Sequence, residues 1–476
     1  MSNYKALLKH SLNYLFAQVA TKALAFISIP VYTRILSVEE FGVVQVFLAT
    51  VGIASVLLTL NTEVGISRYY YDRKSDDDFK EFVGTTIIIM SSVMMGMALV
   101  GILLLPWLSN ELSFSYLLTL ALLPVSIYNV SNSVFTQIYS VLLESKKIAI
   151  VSSIQTYLAF ILSVVAILLL PKDKYYGQVI GTIVAMVVLW QYLVRQIKSY
   201  CIFHVKKEHV KYLLSYSLPY LPYTLSGIII AQLGRIVISQ YGGFGLAGQY
   251  SFATNIALIM LVFICIVHSA WNPYYFQYMT DGDYKSVDND YKLIWAVTLS
   301  LGLALILFGK ELAFVLGKEE YFSSVKYIPV LVIGYVFYQW SYVYMRNTGF
   351  AKRVIWNALS VVSSGVVNIA ICYLSIYKYG AWGVVFAFAM SYFVMLVTSW
   401  SINKWVIKEY APRCTSFLMP FIVWGVFVVG YFFLFNVYQF NTIWIMILKF
   451  VIMGSFLSIE IYPYRSTFNK IIRRWK

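Results

Sequence analysis

The stretch Phe82-Val-Gly-Thr-Thr-Ile-Ile-Ile-Met-Ser-Ser-Val-Met-Met-Gly-Met-Ala-Leu-Val-Gly-Ile-Leu-Leu-Leu105 carries no charged side chain over 24 residues. As a helix it would extend roughly 36 Å, more than the ~30 Å hydrocarbon core of a bilayer. Runs of this kind recur along the chain on both sides of it. In the first half they are Leu12–Tyr32, Phe41–Asn61, Phe82–Leu105, Phe114–Phe135, Ile150–Leu170 and Gly177–Leu193. In the second half they are Leu213–Ser239, Leu246–Ala270, Leu293–Leu316, Val325–Tyr344, Val354–Ile376 and Gly383–Ile402, followed by Phe417–Phe435 and Thr442–Ile461. Hydrophobic residues make up 60% of the chain and charged ones 12%, with a mean hydropathy of +0.74. A water-soluble protein of this length needs far more polar surface. The expectation is an all-α polytopic membrane protein with fourteen transmembrane helices.

Charge placement orients it. With the N-terminus inside, inner segments hold about 26 of the Lys and Arg residues and outer loops about 7, while Lys22, Arg235 and Lys449 lie within spans. That asymmetry places both termini in the cytoplasm. The net charge of +15 gathers in the loop from Arg195 to Lys211 and the tail Arg465–Lys476. It therefore reads as orientation and attraction to anionic headgroups rather than nucleic-acid binding. The first run carries Lys22, is too long for a signal-peptide core and lacks a small-residue cleavage site, so it is expected to be a retained span. Cys201, Cys265, Cys372 and Cys414 lack metal-ligand spacing and read as reduced thiols, with no metal site or cofactor expected.

The chain is built twice. Gly42, in Glu-Phe-Gly-Val-Val, and Gly248, in Leu-Ala-Gly-Gln-Tyr, open the second and eighth spans at an offset of 206. The same offset carries Lys146-Lys147 onto Lys352-Arg353, and Ser67-Arg68-Tyr69-Tyr70 onto Pro273-Tyr274-Tyr275-Phe276. Tyr175–Gly181 resembles Lys378–Gly383 at a slightly shorter offset. Six spans per repeat is an even number, so the halves are parallel and related by an axis along the membrane normal. Expected divisions are an N-lobe 1–198 with helices 1–6, a basic cytoplasmic linker 199–211, a C-lobe 212–405 with helices 7–12, and 406–476 with helices 13–14 and the tail. Two such lobes facing each other imply transport by rocking.

Pro30-Val-Tyr-Thr-Arg34-Ile-Leu-Ser-Val-Glu39-Glu40-Phe-Gly42 resembles the first-loop signature of polysaccharide transporters in the multidrug/oligosaccharidyl-lipid/polysaccharide exporter superfamily. Tyr241–Tyr250, Gln137–Lys147, Tyr379–Gly383 and Ser67–Tyr70 resemble the same family at corresponding places. The resemblance implies a flippase of the bacterial inner membrane. Its cargo would be an undecaprenyl-pyrophosphate-linked oligosaccharide repeat unit, such as an O-antigen or capsule unit, moved from the inner to the outer leaflet. It also implies coupling to H+ or Na+ in place of ATP, and polymerase and chain-length proteins of the same pathway as partners. No Walker-type phosphate loop occurs in the chain.

Such a cargo needs fixed positive charge for its pyrophosphate and aromatic and polar groups for its sugars. Charged residues at membrane depth are costly and so are functional candidates. Lys22, flanked by Ala20, Ala23 and Ala25, and Arg235, in the seventh span, are the leading cavity cations. Arg34 and Arg346 lie nearer span ends, where interface anchoring competes with function. Lys449 either lines a groove by the last helix pair or pairs with a neighbouring helix. Glu63 and His268 fall at pseudo-equivalent heights and are coupling candidates, because their charge can change with surroundings. Tyr216, Tyr220 and Tyr223 share a face of the seventh span, and Pro219 and Pro222 are expected to bend it into a gate.

Two rival functions compete with this reading. A multidrug or metabolite antiporter of the related branch would need only twelve spans and an acidic cavity. A polyprenyl-dependent glycosyltransferase would use acidic residues such as Glu39-Glu40 in the first outer loop, but that pair sits where it can cap the second span. The large outer loop of polymerases is also missing.

Overall fold

Apolar runs in this chain become helices wherever the backbone can close its own hydrogen bonds, as lipid demands. A computed structural model describes residues 27–437 and 442–460, all helix, turn or short connection with no strand among them. The helices are α1 (27–35), α2 (Val38–Thr59), α3 (Val64–Asp72), α4 (Asp76–Leu103), α5 (Leu105–Leu112), α6 (Tyr116–Val141), α7 (Ser145–Leu169) and α8 (Tyr175–Lys198). They continue with α9 (Lys207–Asp281), α10 (Tyr284–Leu307), α11 (Gly309–Leu316), α12 (Ile328–Phe350), α13 (Ile355–Tyr379), α14 (Ala381–Ile402), α15 (Thr415–Val437) and α16 (Thr442–Glu460). A 3-10 segment, Glu319–Tyr327, precedes α12, and a π-helical turn, Asn403–Ile407, follows α14.

Eleven helical segments among the described residues are long and apolar enough to cross a membrane. One of them, α9, holds two expected spans and changes direction at Gly243, whose φ of 76° and ψ of 172° are open to glycine alone without strain. The protein is an all-α multi-pass membrane protein. Most of the first expected span lies outside the described residues.

Helix ends follow local chemistry more than hydropathy. Ser37 and Glu40 form a reciprocal capping box at the start of α2, and Glu40 also accepts from the Lys174 amide at 2.7 Å. Ser75 caps α4, with Asp76, Asp77 and Asp78 in its first turn, so this helix starts six residues before the apolar run. The expected second span does not run straight into the Ser67–Tyr70 segment. Leu60 and Asn61 both take left-handed backbone (φ 48° and 59°) and separate α2 from α3. The ninth run likewise divides, with α10 ending at Leu307 and α11 beginning at Gly309.

The described residues form two compact units, each treated separately. The first comprises the described part of Met1–Ser251 together with Ile369–Val384, and the second comprises Phe252–Asn368 and the described part of Val385–Lys476.

In the first unit the duplication is visible as a symmetric contact. The space a Cβ would take on Gly42 is occupied by the backbone oxygen of Phe244, and on Gly248 by that of Val38. Phe244 is 206 residues after Val38, and Gly248 is 206 after Gly42. Each glycine thus meets the carbonyl of the other helix at the equivalent place, a close crossing that suits weak Cα–H···O contacts. The antiparallel pair α7–α8 uses the same device. Gly177 and Gly181, four apart on one face of α8, press against the backbone of Ile167 and Ser163. Gly383, which opens α14 much as Gly177 opens α8, sits against Ser375 near the end of α13.

Candidate functional site

An aromatic enclosure in the second unit is built around Arg346 on α12. Its side chain is 7% exposed. The guanidinium carbon lies 5.1 Å from the ring centre of Trp271, 5.5 Å from Tyr275 and 5.2 Å from Tyr342. Two of these rings come from the second half of α9, and Tyr342 stands one turn before Arg346 on α12. Desolvated cation–π contacts contribute up to ~2 kcal/mol each, against a burial cost of several kcal/mol for the ion.

His268 links the arginine to the rest of α12. Arg346 Nη2 donates to His268 Nδ1 at 2.9 Å and to its backbone oxygen at 3.3 Å, and His268 Nε2 lies 2.7 Å from Gln339 Oε1. A guanidinium can only donate. Nδ1 therefore carries the lone pair, Nε2 carries the proton it gives to Gln339, and the ring is neutral in this arrangement. Nη1 of Arg346 is buried and has no hydrogen-bond partner among the described residues. No ion pair among those residues involves Arg346. The carboxylate of Asp290 accepts from the Trp271 indole at 3.0 Å. The result is a positive group held by rings and a neutral imidazole, with one donor edge left over.

A second polar layer fixes this part of α12. Asn347 donates to Asn403 Oδ1 at 2.6 Å, and Asn403 donates to Tyr344 O at 2.7 Å and Ser399 O at 3.2 Å. Asn403 opens the π-helical turn, a feature that often accompanies functional sites. Tyr275 OH reaches Asn347 Oδ1 at 3.4 Å, so one aromatic wall is anchored to the same layer.

Of the other expected cations, Lys22 lies outside the described residues. Arg235, in the first unit, is 6% exposed and donates to Ala231 O at 3.3 Å and to the Gln232 side-chain oxygen. Arg34 is exposed and donates to Pro30 O at 3.1 Å. Lys449, in the second unit, is 2% exposed and pairs with Glu311 at 2.6 Å.

Glu63 belongs to the first unit and His268 to the second. Glu63 follows the break after α2, where its carboxyl group meets the hydroxyls of Thr59 and Ser133. Tyr220 and Tyr223 pack together at 4.8 Å, whereas Tyr216 is 39% exposed and neighbours Tyr212. Leu213, one turn before Tyr216 on α9, is fully buried. Pro219 and Pro222 lie within α9, before the non-helical dihedrals at Gly243.

A cluster that the sequence reading passed over joins α3, α4 and the start of α9. His209 Nε2 lies 3.1 Å from Asp78 Oδ1, Tyr69 OH donates to Asp78 Oδ2 at 2.9 Å, and Tyr69 stacks on Phe82 at 3.8 Å. Beside it, Lys206 pairs with Glu81. The Arg346 centre contains two residues singled out beforehand, yet their mutual contact and the role of Gln339 were missed. The available signal was spacing: Gln339 precedes Arg346 by seven residues, two turns on one helix face.

A family model described as polysaccharide biosynthesis protein matches residues 7–279, more than half of the chain. A candidate O-antigen transporter of Shigella dysenteriae is 22% identical over 393 residues, covering 79% of this chain and 93% of its own length. An uncharacterized membrane protein of Haemophilus influenzae is 24% identical over 350 residues, 69% of this chain and 80% of that protein. Among solved structures, the lipid II flippase MurJ in an inward closed conformation shares the fold with a TM-score of 0.72. The sequences are 14% identical, with 96% of this chain and 99% of that one covered. An inward-facing multidrug resistance MATE transporter of the MOP superfamily gives 0.63 at 14% identity, over 84% of this chain and 98% of that one. The named functions among these are transport, not enzymatic catalysis. The matched residues place this chain in the polysaccharide biosynthesis protein family.

Proposed function

We propose that the protein is a flippase for an undecaprenyl-pyrophosphate-linked oligosaccharide repeat unit, an O-antigen, capsule or similar surface-polysaccharide precursor. It carries the unit from the inner to the outer leaflet of the bacterial cytoplasmic membrane, with both chain termini on the cytoplasmic side. The observation that carries this reading is the Arg346 centre. A buried guanidinium with a spare N–H edge suits a phosphate oxygen, and the Trp271, Tyr275 and Tyr342 rings suit sugar faces. Two similar proteins support the cargo class, one named for O-antigen and one for lipid II.

Movement is by alternating access of the two six-helix lobes, N-lobe 1–198 and C-lobe 212–405. Lys22 and Arg235 supply further positive charge along the path. Coupling to H+ runs through His268: a proton arriving at Nδ1 removes the acceptor for Arg346 Nη2 and sets two like charges side by side. Arg346 must then leave its present contact. Glu63 is the matching carboxyl group of the first half.

The test is export in cells. Arg346→Ala is expected to abolish surface polysaccharide while lipid-linked units accumulate in the inner leaflet at unchanged protein abundance. Arg346→Lys keeps the charge but loses the planar donor fork, and is expected to retain only part of the export. Normal export by Arg346→Ala would remove the centre from the transport path.

A further inference from the structure

A cavity of about 450 Å³ opens in the second unit among the end of α10, α11, the 3-10 segment and the last two helices. That volume falls within the range of small-ligand sites. Its walls are apolar, with Phe314, Phe322 and Phe432 among them, and four charged side chains, Lys310, Glu311, Lys326 and Lys449, line it. Phe314 and Val315 are 71% and 61% exposed, so the apolar wall continues onto the outer surface of the unit.

The four charges divide into a closed pair and an open pair. Lys449 is buried against Glu311 Oε1 at 2.6 Å, between the rings of Phe308 (5.7 Å) and Tyr431 (6.0 Å). That pair is neutral as a unit. Lys310 and Lys326 are exposed and make no ion pair among the described residues. They leave a net positive cavity mouth. Glu311 Oε2 is buried and accepts no hydrogen bond among the described residues. The cavity thus offers two cations at its mouth and an apolar wall leading outward.

We propose that this cavity binds the headgroup of an anionic glycerophospholipid, phosphatidylglycerol in chemical type. The phosphate sits between Lys310 and Lys326, and the acyl chains run over Phe314 and Val315. Charge complementarity selects this occupant. A choline or ethanolamine headgroup brings a cation to a mouth that is already positive, and a free phosphate leaves the apolar wall uncovered. The site is separate from the Arg346 centre, so it can fail without touching the transport reading.

The experiment uses the full-length protein in detergent, exchanged into defined lipid mixtures, with native mass spectrometry counting retained lipids. Phosphatidylglycerol is expected to be retained over phosphatidylcholine and phosphatidylethanolamine. A surface lysine contributes roughly fivefold to attraction of an anionic lipid. Lys310→Ala/Lys326→Ala is therefore expected to retain roughly 25-fold less phosphatidylglycerol. Both residues are exposed, so the double variant is expected to keep the wild-type melting temperature without added lipid. Retention unchanged in the double variant would overturn the site, as would equal retention of the zwitterionic lipids. Displacement of the lipid by millimolar inorganic phosphate alone would reduce it to a simple anion site and overturn the lipid assignment.

Discussion

Gly42→Ala sets a methyl group against backbone rather than against a side chain that can swing away. The new Cβ would lie 2.8 Å from the carbonyl carbon of Phe244 and 2.9 Å from the amide nitrogen of Gly248. Carbon contacts relax at about 3.5–4.0 Å, so α2 and the second half of α9 would have to part by roughly 1 Å at this crossing. Overpacking of this kind costs ~1–3 kcal/mol, a roughly 5- to 150-fold change in an equilibrium at about 1.4 kcal/mol per tenfold. Gly248→Ala approaches the same crossing from the other helix, with its Cβ 3.2 Å from the Val38 carbonyl carbon and 3.2 Å from Gly42 N. Because one separation relieves both clashes, the double variant is expected to cost less than the sum of the singles. Gly96→Ala on α4 is the matched control, since its Cβ meets nothing within 4 Å. Helix propensity there favours alanine by up to ~1 kcal/mol, and the same gain partly offsets the cost at the crossing. The assay is thermal unfolding of purified protein in one detergent, followed by the monodisperse fraction on size exclusion. Gly42→Ala and Gly248→Ala are expected to melt below wild type and Gly96→Ala at or above it. If all three melted together, the close crossing and the symmetry drawn from it would be refuted.

The buried pair Lys449–Glu311 is expected to behave asymmetrically. Glu311→Gln strands a lysine that is 2% exposed and is expected to cost ~3–5 kcal/mol. Lys449→Met leaves a carboxylate that is 36% exposed and can still be hydrated, so its loss is expected to be clearly smaller, with Lys449→Met/Glu311→Gln recovering most of the stability. Equal losses from the two single variants in the same melting assay would argue against this. At Lys206, between α8 and α9, the hydrogen bond to Glu81 holds the amine above the ordinary lysine range. A raised pKa keeps the amine protonated and unreactive as pH rises. Acylation of Lys206 at pH 9 is therefore expected to be slower in wild type than in Glu81→Gln, read by peptide mass spectrometry, and equal rates would contradict the pairing.

Much of the fold was legible because lipid imposes a simple rule on sequence. Uncharged runs such as Phe82–Leu105 must become helices, and a glycine recurring at an offset of 206 marks a repeated packing need. The i+4 pair Arg68–Asp72 forms as its spacing suggests, at 3.3 Å, and Glu40 caps α2. The break at Leu60–Asn61 was not legible. Neither residue is a glycine or proline, and the left-handed turn is imposed by surroundings that sequence does not list. The candidate site was legible residue by residue but not as a set. Arg346 and His268 each stood out as an ionisable group at membrane depth, but nothing in their separate spans said that one would donate to the other.

The amino-acid sequence by itself therefore determined the class of molecule, the positions of most spans and the twofold repetition, because these follow from hydropathy, length and local spacing. Only the tertiary structure decided which buried charges meet. It set Lys449 on Glu311, left Arg346 among three rings with a spare N–H, and brought Gly42 against Gly248. Those outcomes depend on how helices far apart in the chain rotate and approach, and a contact between helix faces has no signature within either helix alone.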